Sequence, residues 1–367
     1  MRIVIFHGYL LSGTGSNVYN ARLAEALVGL GHEVHLLSQD RHPEEHAFVD
    51  AAADWDEGTL RVRELGVPAE RPGRCTVYRP DIGGLLPVYV ADRYEGVEAK
   101  TFALCSDEEI ARYVDANVRA VADLLARVEP DLALANHLVM GPLILARALG
   151  GRVPYAVKIH GSALEYTVKP DPERFLPAAR AGLAGARGVL VGSRHTAASL
   201  WQALGDPRLA DRTRLGPPGV DVRRFAPREP AAAASGVREL ARRLRADADR
   251  LRTGEQAGSV PASASAFARD PLAAAAALDA LEPPQQHDHG LLEPPSEPDR
   301  GALVAFVGKL IVSKGVDLLM AAWPLVLARE PRARLVVVGF GAYRDGLERL
   351  RDGLLCLAGS HTRGAAP

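Results

Sequence analysis

The feature that most restricts the fold of this chain is a recurring order: a short apolar run, a glycine-containing loop, then an amphipathic helix. Its clearest instance is Val304-Ala-Phe-Val-Gly-Lys-Leu-Ile-Val-Ser-Lys-Gly315. Ala302 to Val307 is the pattern of a strand buried on both faces of a parallel sheet. Gly308 then permits a sharp turn and a close backbone approach. From Ser313 the chain reads as a helix, with Ser313 as its cap and Val316, Leu318, Leu319, Ala322 and Trp323 as its apolar face. Lys309 and Lys314 therefore stand where a strand ends and a helix begins, beside unpaired N–H groups and the positive pole of the helix dipole. Such a place suits phosphate, and two lysines suit a diphosphate better than a single charge. A plain loop carrying two solvated lysines is the alternative.

The same order starts at the N-terminus. Arg2 to Phe6 is a strand, His7 to Ser16 a loop, and Asn17 to about Leu30 a helix with Val18, Ala21, Ala24, Leu27 and Val28 on one side and Gly31 as C-cap. Glu33 to Ser38 completes a βαβ unit, whose crossover should be right-handed. Gly13-Thr-Gly15 is not a dinucleotide fingerprint, because extra residues separate it from its strand and Val18 stands where a third glycine belongs. What remains is a glycine-rich loop feeding a helix N-terminus, able to lie against an anionic or sugar ligand, with an ordinary βα turn as the alternative. Residues 41 to 100 are less regular, with one strand expected at Cys75 to Arg79. Asp54-Trp-Asp56 has the form of a metal–diphosphate motif. It follows three alanines and precedes Glu57-Gly58, so it reads as a solvated helix end, and no metal is expected.

Asp107 to Val128 is a long amphipathic helix. Asp131 to Asn136 is a strand followed by His137 and a helix near Gly141 to Leu149; Val153 to Ile159 is a strand ending in His160-Gly-Ser162. Ligands of open α/β sheets bind beyond the carboxyl ends of strands, which places His160, and with weaker company His137, to meet one. A structural role is the alternative for either histidine. A helix at Pro172 to Ala184, a strand at Arg187 to Gly192, a Ser193-capped helix at Arg194 to Leu204 and a strand at Arg212 to Leu215 lead to the break Gly216-Pro-Pro-Gly219. From about 228 to 300 the composition turns to Ala, Arg, Glu, Pro and Ser, an insertion or flexible linker with candidate helices at Val237 to Leu251 and Pro271 to Leu281. His287-Asp-His289 within it reads as a solvated turn rather than a metal site. The alternation then resumes with strand Ala302 to Val307, helix Val316 to Arg329 and strand Ala333 to Val338, which ends at Gly339-Phe-Gly341 near the ligand edge.

With 367 residues and 47% apolar composition, the chain can bury two ordinary cores. A net charge of -1 and the lack of a long basic run argue against a general nucleic-acid binder. Cys75, Cys105 and Cys356 are far apart without metal spacing, as in a reducing compartment. A strand at once after Met1 argues against a signal peptide, and no apolar run approaches the roughly 18 residues that span a bilayer. A cytoplasmic location is expected, with contact at a membrane surface left open.

Taken together, Gly13-Thr-Gly-Ser-Asn17, His160-Gly161 and Gly308-Lys309-Leu-Ile-Val-Ser-Lys314-Gly315 resemble the retaining glycosyltransferases of family 4, whose GT-B fold has two facing Rossmann-like domains. Pro217-Pro-Gly-Val-Asp-Val-Arg-Arg-Phe225 is similar to that family's interdomain segment. The resemblance covers about 1–225 and 302–350. It implies an α/β, GT-B-like chain: 1–225 as the acceptor-side domain, 226–300 as an Ala/Pro-rich insertion and 301–367 as an incomplete sugar-nucleotide domain. By resemblance Lys309 and Lys314 hold the donor diphosphate, although Lys309 stands where the family often has arginine and lacks its bidentate fork. The loop of Gly13, Gly15 and Ser16 approaches the donor phosphate or the acceptor, and His160 meets the transferred sugar. Gly308, Gly339 and Gly341 form the turns on the nucleotide side. The implied reaction moves a sugar from a nucleoside-diphosphate sugar to a glycan, lipid or small-molecule acceptor with retention, and without metal or resident cofactor. Fixed cations and a helix dipole stabilise the charge growing on the leaving diphosphate, so the carboxylate pair of a glycosidase is not required. One departure stands out. The family's Glu-x7-Glu element is not found after Gly341, where only Glu348 is present, so a truncated or frame-shifted product, weak or inactive alone, is expected. A remnant that binds acceptor only and a GT-B sugar-nucleotide epimerase are the rival expectations.

Overall fold

Ile3, Val4, Ile5 and Phe6 are all buried, so the first strand, β1 (Arg2–Phe6), lies inside a sheet covered on both faces. The computed structural model describes residues 1–56, 58–66, 71–90, 98–253, 271–279, 302–339, 341 and 343–363. The chain divides into two units, Met1–Asp221 and Val222–Pro367. The break lies a few residues before the expected 225/226 boundary, and the helices of the 226–300 segment fall in the second unit.

After β1 come α1 (Gly15–Gly29) and β2 (Glu33–Leu37). The inner face of α1 differs from expectation: Asn17, Asn20, Ala21, Ala24 and Val28 are buried, whereas Val18 is 45% exposed. The two asparagines turn inward because they have partners in the site below. The stretch thought irregular holds five strands: β3 (Ala51–Asp56), β4 (Thr59–Glu64), β5 (Arg74–Arg79), β6 (Leu85–Val88) and β7 (Glu98–Thr101). Asp54-Trp-Asp56 is therefore the end of a strand, not of a helix. β3 pairs antiparallel with β4 around Gly58 and parallel with β5, where Asp54 lies opposite Arg79; their side chains pair at 2.7 Å, and Asp56 pairs with Arg61 at 3.0 Å. Behind this hairpin Asp50 is buried and paired to Arg71 at 2.5 Å, while its other oxygen accepts the Cys75 amide at 2.8 Å.

The chain continues through α2 (Asp107–Arg127), β8 (Leu132–Asn136), α3 (Gly141–Leu149), β9 (Tyr155–Ile159), α4 (Pro172–Ala184), β10 (Gly188–Val191), α5 (Arg194–Leu204), α6 (Leu209–Arg212) and β11 (Thr213–Leu215). Ser106 starts α2 with a capping box: its hydroxyl accepts the Glu109 amide at 3.2 Å, and Glu109 accepts the Ser106 amide at 2.7 Å. Ser106→Ala is expected to cost about 1 kcal/mol, read as a melting temperature lower by about 2–4 °C. As expected, Ser193 caps α5 through the Thr196 amide.

Nine strands form one sheet in the order β11-β10-β9-β8-β1-β2-β5-β3-β4, parallel apart from β3 with β4. From β1 the chain builds first to one side through β2 and later to the other through β8, β9, β10 and β11, so the sheet switches direction between β1 and β8. One core packs Ile3 and Ile5 against Ala21, Ala24 and Val28 of α1; the other packs Val4 and Phe6 with residues of α2, α3 and α4.

In the second unit α7 (Pro230–Thr253) packs on α8 (Pro271–Asp279) through Ala241, Leu244 and Ala275, with Arg245 paired to Asp279. These match the two expected helices; His287-Asp-His289 lies outside the described residues. β12 (Leu303–Val307), α9 (Val316–Leu327), β13 (Arg334–Val338) and α10 (Arg344–Arg363) follow. β12 and β13 pair in parallel around a small core of Leu310, Val316 and Leu347. Contrary to expectation β12 is not buried on both faces: Leu303 is 52% and Val307 77% exposed. Among the described residues, β13 is the strand that pairs with it. Along α9 only Val316 is buried, and Leu318 is exposed. Among the described residues, no helix is long and apolar enough to cross a membrane.

Candidate active site

Three strands of the first unit end in histidine within one region. His7 follows β1, His137 follows β8 and His160 follows the adjacent β9. This is the switch point of the sheet, where the loops of neighbouring strands part and leave room for a ligand. The rings of His137 and His160 are 4.9 Å apart, and those of His7 and His137 are 6.0 Å apart.

The hydrogen bonds fix the proton on His160. Asn136 donates its Nδ2 toward the Phe6 carbonyl, which turns Oδ1 to His160 Nε2 at 2.8 Å. An amide oxygen only accepts, so Nε2 carries the proton and Nδ1 keeps its lone pair. Burial first, then the neighbouring His7 and Lys158, push its pKa down to about 3. His160 is thus a neutral imidazole that can accept a hydrogen bond from a hydroxyl. Tyr19 from α1 stands edge-on to it at 5.0 Å.

His7 shapes the loop above. Its Nε2 donates to the Leu10 carbonyl at 3.0 Å and to Asn17 Oδ1 at 3.1 Å, and its Nδ1 accepts from Asn20 Nδ2 at 3.0 Å. Asn17 in turn donates to the Ser12 carbonyl at 2.7 Å, and Asn20 to the Ser16 carbonyl at 2.9 Å. One neutral imidazole therefore holds both ends of the 7–16 loop, and burial lowers its pKa to about 4.

Gly13 has φ +88°, where a side chain would be strained. Gly15 is different. It opens α1, and a Cβ there would meet nothing within 4 Å. The protein's own packing gives no reason for that glycine, while a ligand lying on the helix end would. Thr14 provides no side-chain cap, so the first amides of α1, beside Ser16, remain for such a ligand.

His137 is 2% exposed, has φ +67° and, among the described residues, finds no hydrogen-bond partner for either ring nitrogen. Burial lowers its pKa, helped by His160 and His7. An L-residue in the left-handed region with two orphaned buried nitrogens is a strained, unsatisfied group of the kind found at binding sites.

The remaining expected site residues lie in the second unit. Gly308 ends β12 and its amide donates to the Val338 carbonyl at 3.0 Å; Lys309 is half-buried and Lys314 exposed. The helix begins later than expected. Val312–Lys314 is a 3-10 turn, and Gly315, at φ +66°, rather than Ser313 is the N-cap of α9. A Cβ at Gly339 would strike the Gly308 carbonyl at 1.9 Å, and one at Gly341 the Leu310 carbonyl at 2.4 Å. Contact between the two turns leaves no room for a side chain at either glycine.

His7, Asn17, Asn20, Tyr19, Asn136 and Lys158 were not singled out from the sequence as site residues. Two asparagines three apart on the inner side of α1, and a lysine within the apolar strand Tyr155–Ile159, were the signals that could have found them.

A doubly wound parallel sheet with a glycine-rich loop and polar side chains at its switch point defines a Rossmann-like ligand-binding domain. The glycosyl transferase 4-like domain matches residues 14–219, more than half of the chain, and the chain belongs to that family. No curated protein matches it. Similar solved structures include sucrose-phosphate synthase from Thermosynechococcus elongatus, 17% identical over 97% of this chain and 67% of that one, with TM-score 0.49. The catalytic domain of starch synthase IV from Arabidopsis thaliana, bound to ADP and acarbose, is 12% identical over 97% and 71%, with TM-score 0.47. A glycosyltransferase from Rickettsia africae ESF-5 is 11% identical over 97% and 65%, with TM-score 0.48.

Proposed function

We propose that the chain moves a sugar from a nucleoside-diphosphate sugar to an acceptor hydroxyl, with retention of configuration. In the first unit, Gly15 and the open amides of α1 lie against the ligand, and His160 accepts a hydrogen bond from a sugar hydroxyl. In the second unit Lys309 and Lys314 hold the diphosphate. Their charge stabilises the leaving oxygens as the sugar gains oxocarbenium character, so the chemistry needs no metal. The acceptor is a glycan, a lipid or a small molecule.

The observation that carries this is the pairing, at one switch point, of a helix end left open by Gly15 with a neutral His160 whose Nδ1 keeps its lone pair. A hydroxyl-rich, anionic ligand satisfies both. Gly15→Ala tests it, because the added methyl meets no protein atom and the φ is ordinary, so the fold should be untouched or slightly stabilised. Calorimetric titration of the full chain with uridine and adenosine diphosphate sugars is expected to show affinity lowered about tenfold by the methyl, equivalent to one lost close contact. Equal affinity for wild type and Gly15→Ala would remove the loop from the site.

A further inference from the structure

Lys158 is out of place by ordinary rules of burial. It lies in β9 with 1% of its surface exposed, and among the described residues no carboxylate pairs with it. Removing an ammonium from water without a counter-charge is costly, and an aliphatic side chain would fill the same volume more cheaply. Its contacts show what the charge does. Nζ donates to the carbonyl of Gly216, which follows β11 where the chain leaves the first unit. The same ammonium stands 5.3 Å from the centre of the Tyr19 ring, a cation–π contact strengthened by the dry surroundings. Tyr19 meets the His160 ring at 5.0 Å, and the Lys158 carbonyl accepts the His137 amide at 2.8 Å.

We propose that Lys158 is a positioning residue of the candidate site: its ammonium fixes the Tyr19 ring that walls His160, and the same ammonium fastens the exit strand at Gly216. One buried charge thereby ties α1, β9 and the end of β11 to a single point. The inference rests on the reading of this edge as the ligand site, but its test needs no transfer activity.

Lys158→Met keeps the length and removes the charge. In the full chain with isotope-labelled histidine, the His160 ring resonances are expected to shift and broaden as Tyr19 loosens. Hydrogen exchange at Gly216, whose amide bonds the Val191 carbonyl at 2.9 Å, is expected to quicken about tenfold, the worth of one charge-assisted hydrogen bond. Lys158→Arg, which restores a cation and a donor, should reverse both changes. An unmoved His160 signal in Lys158→Met, with or without faster exchange at Gly216, would overturn the proposal and leave Lys158 a structural clasp. Should Lys158→Met not fold, Tyr19→Leu removes the half-buried ring instead and must displace the same His160 signals; unchanged signals there overturn it equally. Failure of the sugar-nucleotide reading would show separately, as no binding by the unaltered chain.

Discussion

Lowering the pH from about 7.5 to about 5 is expected to cost the first unit several kcal/mol of stability, before its carboxylates begin to titrate. His7, His137 and His160 are all held neutral by burial, with pKa values of about 4 for His7 and about 3 for His160 and well below the ordinary 6.5 for His137. In the unfolded chain each takes up a proton near 6.5. Between that value and the folded pKa the unfolded state binds more protons, so stability is complete above 6.5 and falls as the pH drops toward 4. His7 alone would withdraw about 3 kcal/mol by pH 4, from a total that for ordinary domains is about 5–15 kcal/mol. Urea unfolding at a series of pH values checks this. The expected slope is about 1.4 kcal/mol per pH unit for each histidine that stays neutral. A flat profile between pH 6.5 and 5 would mean that the three rings accept protons in the folded state.

Lys314→Met is expected to lower sugar transfer by about 10²–10³-fold, the usual loss when one fixed group facing the growing charge of a transition state is removed. Affinity for the sugar nucleotide should fall by about 10–100-fold, as for one charge-assisted hydrogen bond to phosphate. Lys314 is exposed, so the fold should lose less than about 0.5 kcal/mol, and the melting temperature serves as control. Steady-state kinetics and titration on the same preparation separate the two effects. A less than twofold change in both would show that the lysine is solvated and that the diphosphate is held elsewhere.

Much of the fold was legible because apolar periodicity reports burial. The alternation from β8 through α5 was read almost to the residue, and Ser193 announced its helix. Misreadings arose where long-range pairing decides. Asp54-Trp-Asp56 lies in a strand because Arg79 and Arg61, distant in sequence or across a turn, supply the partners that local propensity cannot show. The buried-strand pattern of Ala302–Val307 expressed what the side chains would bury, while the described neighbours cover only part of it. The placement of His160 and the glycine loop just beyond strand ends was readable from the sequence. His7, Asn17 and Asn20 were not, because their role is a hydrogen-bond network closed only when α1 folds back over β1. Gly339 and Gly341 were expected on the nucleotide side, and the structure adds a packing constraint at both: their backbones lie against Gly308 and Leu310 too closely for a side chain.

The most direct measurement is calorimetric titration of the full chain, and of His160→Ala, with uridine and adenosine diphosphate sugars. The expected result is saturable binding of at least one of them by the unaltered chain, weakened about tenfold or more when the imidazole acceptor is removed. No binding of any such sugar nucleotide, or binding to which His160 makes no difference, would contradict a donor-sugar contact at the switch point of the first sheet.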